Sequence, residues 1–155
     1  MKKHIYQFLK INPKRIYLIF LLSLWTSVAN SQSVTWAFLK GFTEAAGTPV
    51  YGTMGVADPA NLPRARHSSA TWQIGNKLYL FGGGATTSNS SYLNDLWEYD
   101  TDTGNWRWIK GNSSTNQAAT YGTLGEPAEA NSPGGRGNSV TWVSGGKLYL
   151  FGGQT

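Results

Sequence analysis

An all-β chain of repeated small antiparallel sheets is the fold class this sequence predicts, on three observations. Positions 36–85 match positions 106–155 at 22 of 50 places, with no gap and an offset of 70. Each copy breaks into apolar and aromatic runs of about five to eight residues closed by Gly, Asn or Asp, which are the marks of short strands. The runs are apolar on both faces, so the sheet they build needs cover on both sides.

The duplication is clearest in four stretches. WAFLKG (Trp36–Gly41) returns as WRWIKG (Trp106–Gly111), and YGTMG (Tyr51–Gly55) as YGTLG (Tyr121–Gly125). Pro63, Arg66, Ser69, Thr71 and Trp72 return as Pro133, Arg136, Ser139, Thr141 and Trp142, and KLYLFGG stands at both Lys77–Gly83 and Lys147–Gly153. Unrelated segments match by chance at only a handful of positions, so a structural unit is repeated.

Within one copy the elements follow in order. HSSATWQI (His67–Ile74) is a strand closed by the turn Gly75–Asn76. KLYLF (Lys77–Phe81) follows and stops at paired glycines. NDLWEYD (Asn94–Asp100) is a third strand, ended by Thr101–Gly104, and NWRWIK (Asn105–Lys110) is a fourth. The short connections favour antiparallel neighbours. Alternate side chains point to opposite faces, so Leu78 and Leu80 share one side while Tyr79 and Phe81 share the other. Repeated four-stranded sheets, each covered by its neighbours, describe a β-propeller.

Gly82 and Gly83, then Tyr99, then six residues, then Trp106, resemble the kelch repeat. YLNDLWEYDTDTGNWRW (Tyr92–Trp108) is similar to the second half of a kelch blade of the bacterial exported kind. The resemblance covers the chain from about Val34 to its end. It implies strands A to D near His67–Gln73, Lys77–Phe81, Asn94–Asp100 and Asn105–Lys110. It further implies an orphan D strand at Val34–Lys40 and the A and B strands of a next blade at Asn138–Val143 and Lys147–Phe151. The expected architecture is thus a partial kelch-type propeller: one full blade over about 66–110, an orphan strand, and a half blade beginning near 136. Propellers have about four to eight blades, so the resemblance implies a fragment of a longer protein that requires further blades.

The N-terminus reads differently. Lys2, Lys3, Lys10, Lys14 and Arg15 precede the apolar run Ile16–Trp25, and small Ala29 and Ser31 stand before Gln32. Positive region, short apolar core and small-residue exit make residues 1–31 a secretory signal peptide. The run is shorter than the ~20 residues a spanning helix needs, so no stable membrane span is expected after cleavage. The predicted location is secreted, periplasmic or cell-surface. From Gln32 onward eight basic residues face eight acidic ones, although the whole chain carries +5. A neutral remainder has no basic stripe for phosphate, which sets nucleic acid aside. The chain has no cysteine, so residues 32–155 must hold together by packing rather than by disulfides.

Candidate sites are few. Gly82–Gly83 lacks the Lys-Ser/Thr of a phosphate loop and reads as a backbone position that a Cβ would block. DTDTG (Asp100–Gly104) lacks the remaining ligands of a calcium loop and reads as a turn. His67 is the only histidine after residue 31. Kelch propellers resembling galactose oxidase use two Tyr, two His and a Cys crosslink at copper, a set this chain does not contain. No catalytic, cofactor-binding or metal-binding residue is therefore assigned, and no cofactor is expected. Arg66 and Arg136 take matching positions just before strand A, nearest the channel mouth in the family. There they would recognise carboxylates by paired hydrogen bonds, or else tie down loop carbonyls. Tyr51 and Tyr121 are expected to pin the long loops Phe42–Leu62 and Asn112–Ser132.

The function these features favour is an exported, non-catalytic propeller that binds a protein or glycan through its loops and channel mouth. The alternative is the propeller of a secreted enzyme, galactose-oxidase-like or sugar-processing, whose catalytic residues lie outside this chain.

Overall fold

The computed structural model describes residues 35–43, 47–85 and 91–155. The predicted signal peptide, residues 1–31, lies outside the described residues. The chain divides into two compact units, Met1–Ala37 and Phe38–Thr155. The first is described only at Thr35–Ala37, which forms no strand. All sheets below belong to the second.

Seven strands are described: β1 (Ala57–Asp58), β2 (Ala70–Ile74), β3 (Lys77–Gly84), β4 (Tyr92–Asp100), β5 (Asn105–Lys110), β6 (Val140–Ser144) and β7 (Lys147–Phe151). They make a five-stranded sheet of order β1-β5-β4-β3-β2 and a separate β6-β7 hairpin, every pairing antiparallel. The four long strands of the first sheet are the expected blade, and the hairpin is the expected half blade. The repeat holds in detail, because the bridges Val50–Leu62 and His67–Gly84 recur 70 residues on as Thr120–Ser132 and Gly137–Gln154.

Two differences from the expectation stand out. Thr35–Lys40, most of the expected orphan strand, forms no strand. A strand exists only as a partner in a hydrogen-bonded ladder, and no described strand pairs with this segment. The outer edge of the blade is instead occupied by the unforeseen β1, whose Ala57 and Asp58 pair with Arg107 and Trp106. The matching residues of the second copy, Pro127–Ala128, make no strand. No described strand stands beside them in the place of β5, and Pro127 has no N–H to give.

The second difference concerns the paired glycines, which lie inside β3 rather than after it. The ladder with β4 slips between Phe81 and Gly83, a bulge of the kind glycine permits. Gly82 and Gly83 have φ of 61° and 94°. A Cβ on Gly82 would stand 2.5 Å from the carbonyl oxygen of Arg136, and one on Gly83 2.6 Å from that of His67. Both the conformation and the close approach thus demand glycine, as read from the sequence.

The aromatic runs bury the blade. Trp97 and Leu93 are fully buried, and Phe81, Trp72 and Ala70 form a cluster against which Leu148 and Leu150 of the hairpin pack. Trp72 Nε1 donates to the carbonyl of Tyr149 at 2.9 Å, and Gly83 N donates to the carbonyl of Arg136 at 2.8 Å. The hairpin therefore covers one face of the blade, as a neighbouring blade would. The hairpin itself lacks such cover: Phe151 is 70% exposed where its counterpart Phe81 is 5% exposed.

Candidate functional site

The long loops that precede each blade are built on hydrogen bonds rather than on a core. In the first copy Asn61 is buried and its amide donates to the carbonyls of Val56 and Trp106, both at 3.0 Å. In the second, Asn131 donates to Glu126 at 3.1 Å. Each YGTxG tip closes on itself, with Val56 N donating to Thr53 O at 3.0 Å and Glu126 N donating to Thr123 O at 3.1 Å. The tips are thus fixed turns, and each presents a large apolar side chain to solvent at the fourth position of YGTxG, beside which Tyr121 of the second tip is also exposed. Met54 is 46% exposed and its counterpart Leu124 is fully exposed.

Tyr51 anchors the first loop as the sequence suggested. Its ring lies 4.9 Å from that of Trp97 and 5.0 Å from that of Trp108, edge-on to the latter. Its hydroxyl donates to Asp95 Oδ2 at 2.6 Å. Burial, then the Asp95 charge and hydrogen bond, push the Tyr51 phenol well above its ordinary value, so the proton stays on the tyrosine. Tyr121 makes a different contact, since its hydroxyl accepts from Arg136 Nη2 at 2.8 Å.

Asp95 is the centre of the first copy. Its side chain is inaccessible, and Arg66, 5% exposed, grips it with Nη1 on Oδ1 at 2.6 Å and Nη2 on Oδ2 at 2.8 Å. With the Tyr51 hydroxyl already on Oδ2, Trp97 Nε1 adds a fourth donor at 2.8 Å. Burial alone would raise the Asp95 pKa. The Arg66 hydrogen bonds and charge, helped by Tyr51 and Trp97, outweigh burial and hold it below the usual carboxylate value. The remaining Arg66 donors meet the carbonyls of Arg64 and Gly82, each at 3.0 Å. Arg66 therefore takes the scaffolding role weighed from the sequence, with the chain's own aspartate as its carboxylate. It clasps strand β4 to the segment before β2.

Arg136 keeps the same backbone contacts, to Gly134 at 3.1 Å and Gly152 at 3.0 Å, but has Tyr121 where Arg66 has Asp95. His67 Nδ1 sits 3.2 Å from Ser68 Oγ. Asp100 is a turn residue: Oδ1 accepts from the backbone N of Asp102 at 2.9 Å, and Oδ2 meets Lys77 Nζ.

Sequence reasoning missed Asp95, Asn61 and the loop tips. Asp95 carried one signal, a carboxylate two places from both Leu93 and Trp97 and so on the same face of the strand as those apolar side chains. Asn61 carried another, since it recurs at Asn131 outside the strands. Residues 63–111 match the family model of the Kelch motif. No curated protein matches the chain.

Proposed function

We propose that this chain, whose residues 63–111 match the Kelch motif, is an exported binding module whose partner is a protein held on the two YGTxG loop tips. The observation that carries the reading is the repeated presentation of an apolar side chain, Met54 and Leu124, on turns stiffened by Asn61 and Asn131. Paired rigid apolar contacts suit a protein surface better than a sugar. A thioether adapts to an uneven partner, and hot spots gather on desolvated apolar anchors.

The variant Met54→Ser/Leu124→Ser tests this. Immobilised wild-type chain should retain a specific protein from its native host. The double variant should lose that protein while keeping its circular dichroism spectrum, and glycan arrays should give no signal for either. Equal retention by the variant, or glycan binding that survives it, would remove the proposal.

Export is supported by the basic, apolar and small-residue succession of residues 1–31. Expressed in a secreting host, the protein should yield a mature N-terminus at Gln32 by mass spectrometry. A product retaining Met1 would show that the segment is not processed.

A further inference from the structure

We infer that Met54 is an oxidation switch on the first loop tip: a peroxide converts its thioether to the sulfoxide, and the tip loses its apolar contact. The inference rests on the reading of the tips as a protein-binding surface and adds the regulation of that surface. The repeat supplies the argument. The two tips read YGTMG and YGTLG and differ only at the fourth position. Their backbones make the same turn, with φ of 61° and 83° at Gly52 and Gly55 and of 63° and 82° at Gly122 and Gly125. A turn that accepts leucine at Leu124 has no steric need of methionine at Met54. What Met54 adds is sulfur.

Three observations give that sulfur its consequence. The chain has no cysteine, and its two methionines are Met1 and Met54. Met54 therefore carries the one sulfur of residues 32–155, and no thiol there competes for an oxidant. Its side chain is exposed, so a small oxidant reaches it from solvent. Its turn is pinned to the blade, with Gly55 N donating to Trp108 O at 2.7 Å and Val56 N donating to Thr53 O at 3.0 Å. A sulfoxide formed there stays on the contact surface rather than swinging away. The step balances. The thioether sulfur attacks one peroxide oxygen, the O–O bond breaks and an S–O bond forms. Sulfur is oxidised, and the peroxide is reduced to water or an alcohol. The product replaces an adaptable apolar side chain by a polar one, and covering its oxygen with a partner's apolar surface carries a desolvation cost. Leu124 has no such chemistry, so the first tip switches and the second does not.

The full-length protein is treated with hydrogen peroxide, and peptide mass spectrometry locates the added oxygen. Met54 should gain one oxygen at a rate within about tenfold of that of N-acetylmethionine amide, because susceptibility follows exposure. On a phenyl hydrophobic-interaction column the oxidised protein should elute earlier than the untreated one. Methionine sulfoxide reductase should restore both mass and elution. Met54→Leu copies the second tip, so it keeps the turn and an apolar side chain, and peroxide should leave its elution unchanged. An unreacted Met54, an unchanged elution after oxidation, or an equal shift in the Met54→Leu protein would overturn the inference. Retention of the host protein separates the switch from the reading it rests on. Peroxide treatment of the immobilised chain, before the host proteins are applied, should abolish retention by the wild type and spare it in Met54→Leu. Retention that survives Met54 oxidation overturns the switch and leaves the tips as the binding surface. Retention that survives Met54→Ser/Leu124→Ser overturns the tip reading and the switch together.

Discussion

Asp95→Ala unfolds the blade. The substitution leaves the Arg66 guanidinium buried with no counter-charge, and breaking a buried pair from one side costs about 3–5 kcal/mol. It also strips an acceptor from Tyr51 and from Trp97. Against a total of about 5–15 kcal/mol for a typical domain, that is a large share. The urea midpoint should fall steeply, or the transition should vanish. The double variant Arg66→Met/Asp95→Leu removes both charges and should recover much of the loss, because apolar replacement of a buried pair is often neutral or better. Equal destabilisation by the single and double variants would show that the ion pair is not what matters. The pH dependence carries a sign. Asp95 has a folded pKa below its unfolded value, so its contribution is complete above the unfolded pKa near ~3.9. It is lost as pH falls through the lower folded value. Acid unfolding should therefore begin below about pH 4, and a midpoint near neutrality would contradict the assignment.

Trp97→Ala should be nearly as damaging. Trp97 is fully buried, ringed by Tyr51, Trp106 and Trp108, and tied by its indole N–H to Asp95. Truncating a core tryptophan costs about 3–5 kcal/mol, and here the void opens beside a buried carboxylate. Trp97→Phe keeps a ring but loses the donor, so it should cost less than the alanine change, by more than the ~1 kcal/mol of a typical hydrogen bond. Urea unfolding of the three proteins orders them. A Phe variant as unstable as the Ala variant would shift the weight from packing to the hydrogen bond.

Much of this architecture was legible in the residues because its signals are local. The hairpin strands of KLYLF and the whole of Asn105–Lys110 lie where alternation and turn residues put them, and the duplication foretold that the second copy would repeat the first. What escaped was decided by partners distant in sequence. β1 is two residues long and exists only because β5 offers an edge. The orphan strand failed for the opposite reason, since propensity without a paired edge makes no strand. Arg66 stayed open between ligand binding and scaffolding because its aspartate lies 29 residues away, and nothing in local pattern joins the two. The loop tips were missed because an exposed Met or Leu carries no signal until its turn is known to be fixed.

The central claim is that these aromatic-faced sheets owe their stability to what covers them. The most direct measurement is residue-resolved amide hydrogen exchange on the full chain. Amides of Leu78–Phe81 and Leu96–Tyr99, inside the covered blade, should exchange orders of magnitude more slowly than those of Leu148–Phe151, which have the same sequence pattern and an open edge. Equal protection in the two copies would contradict the account.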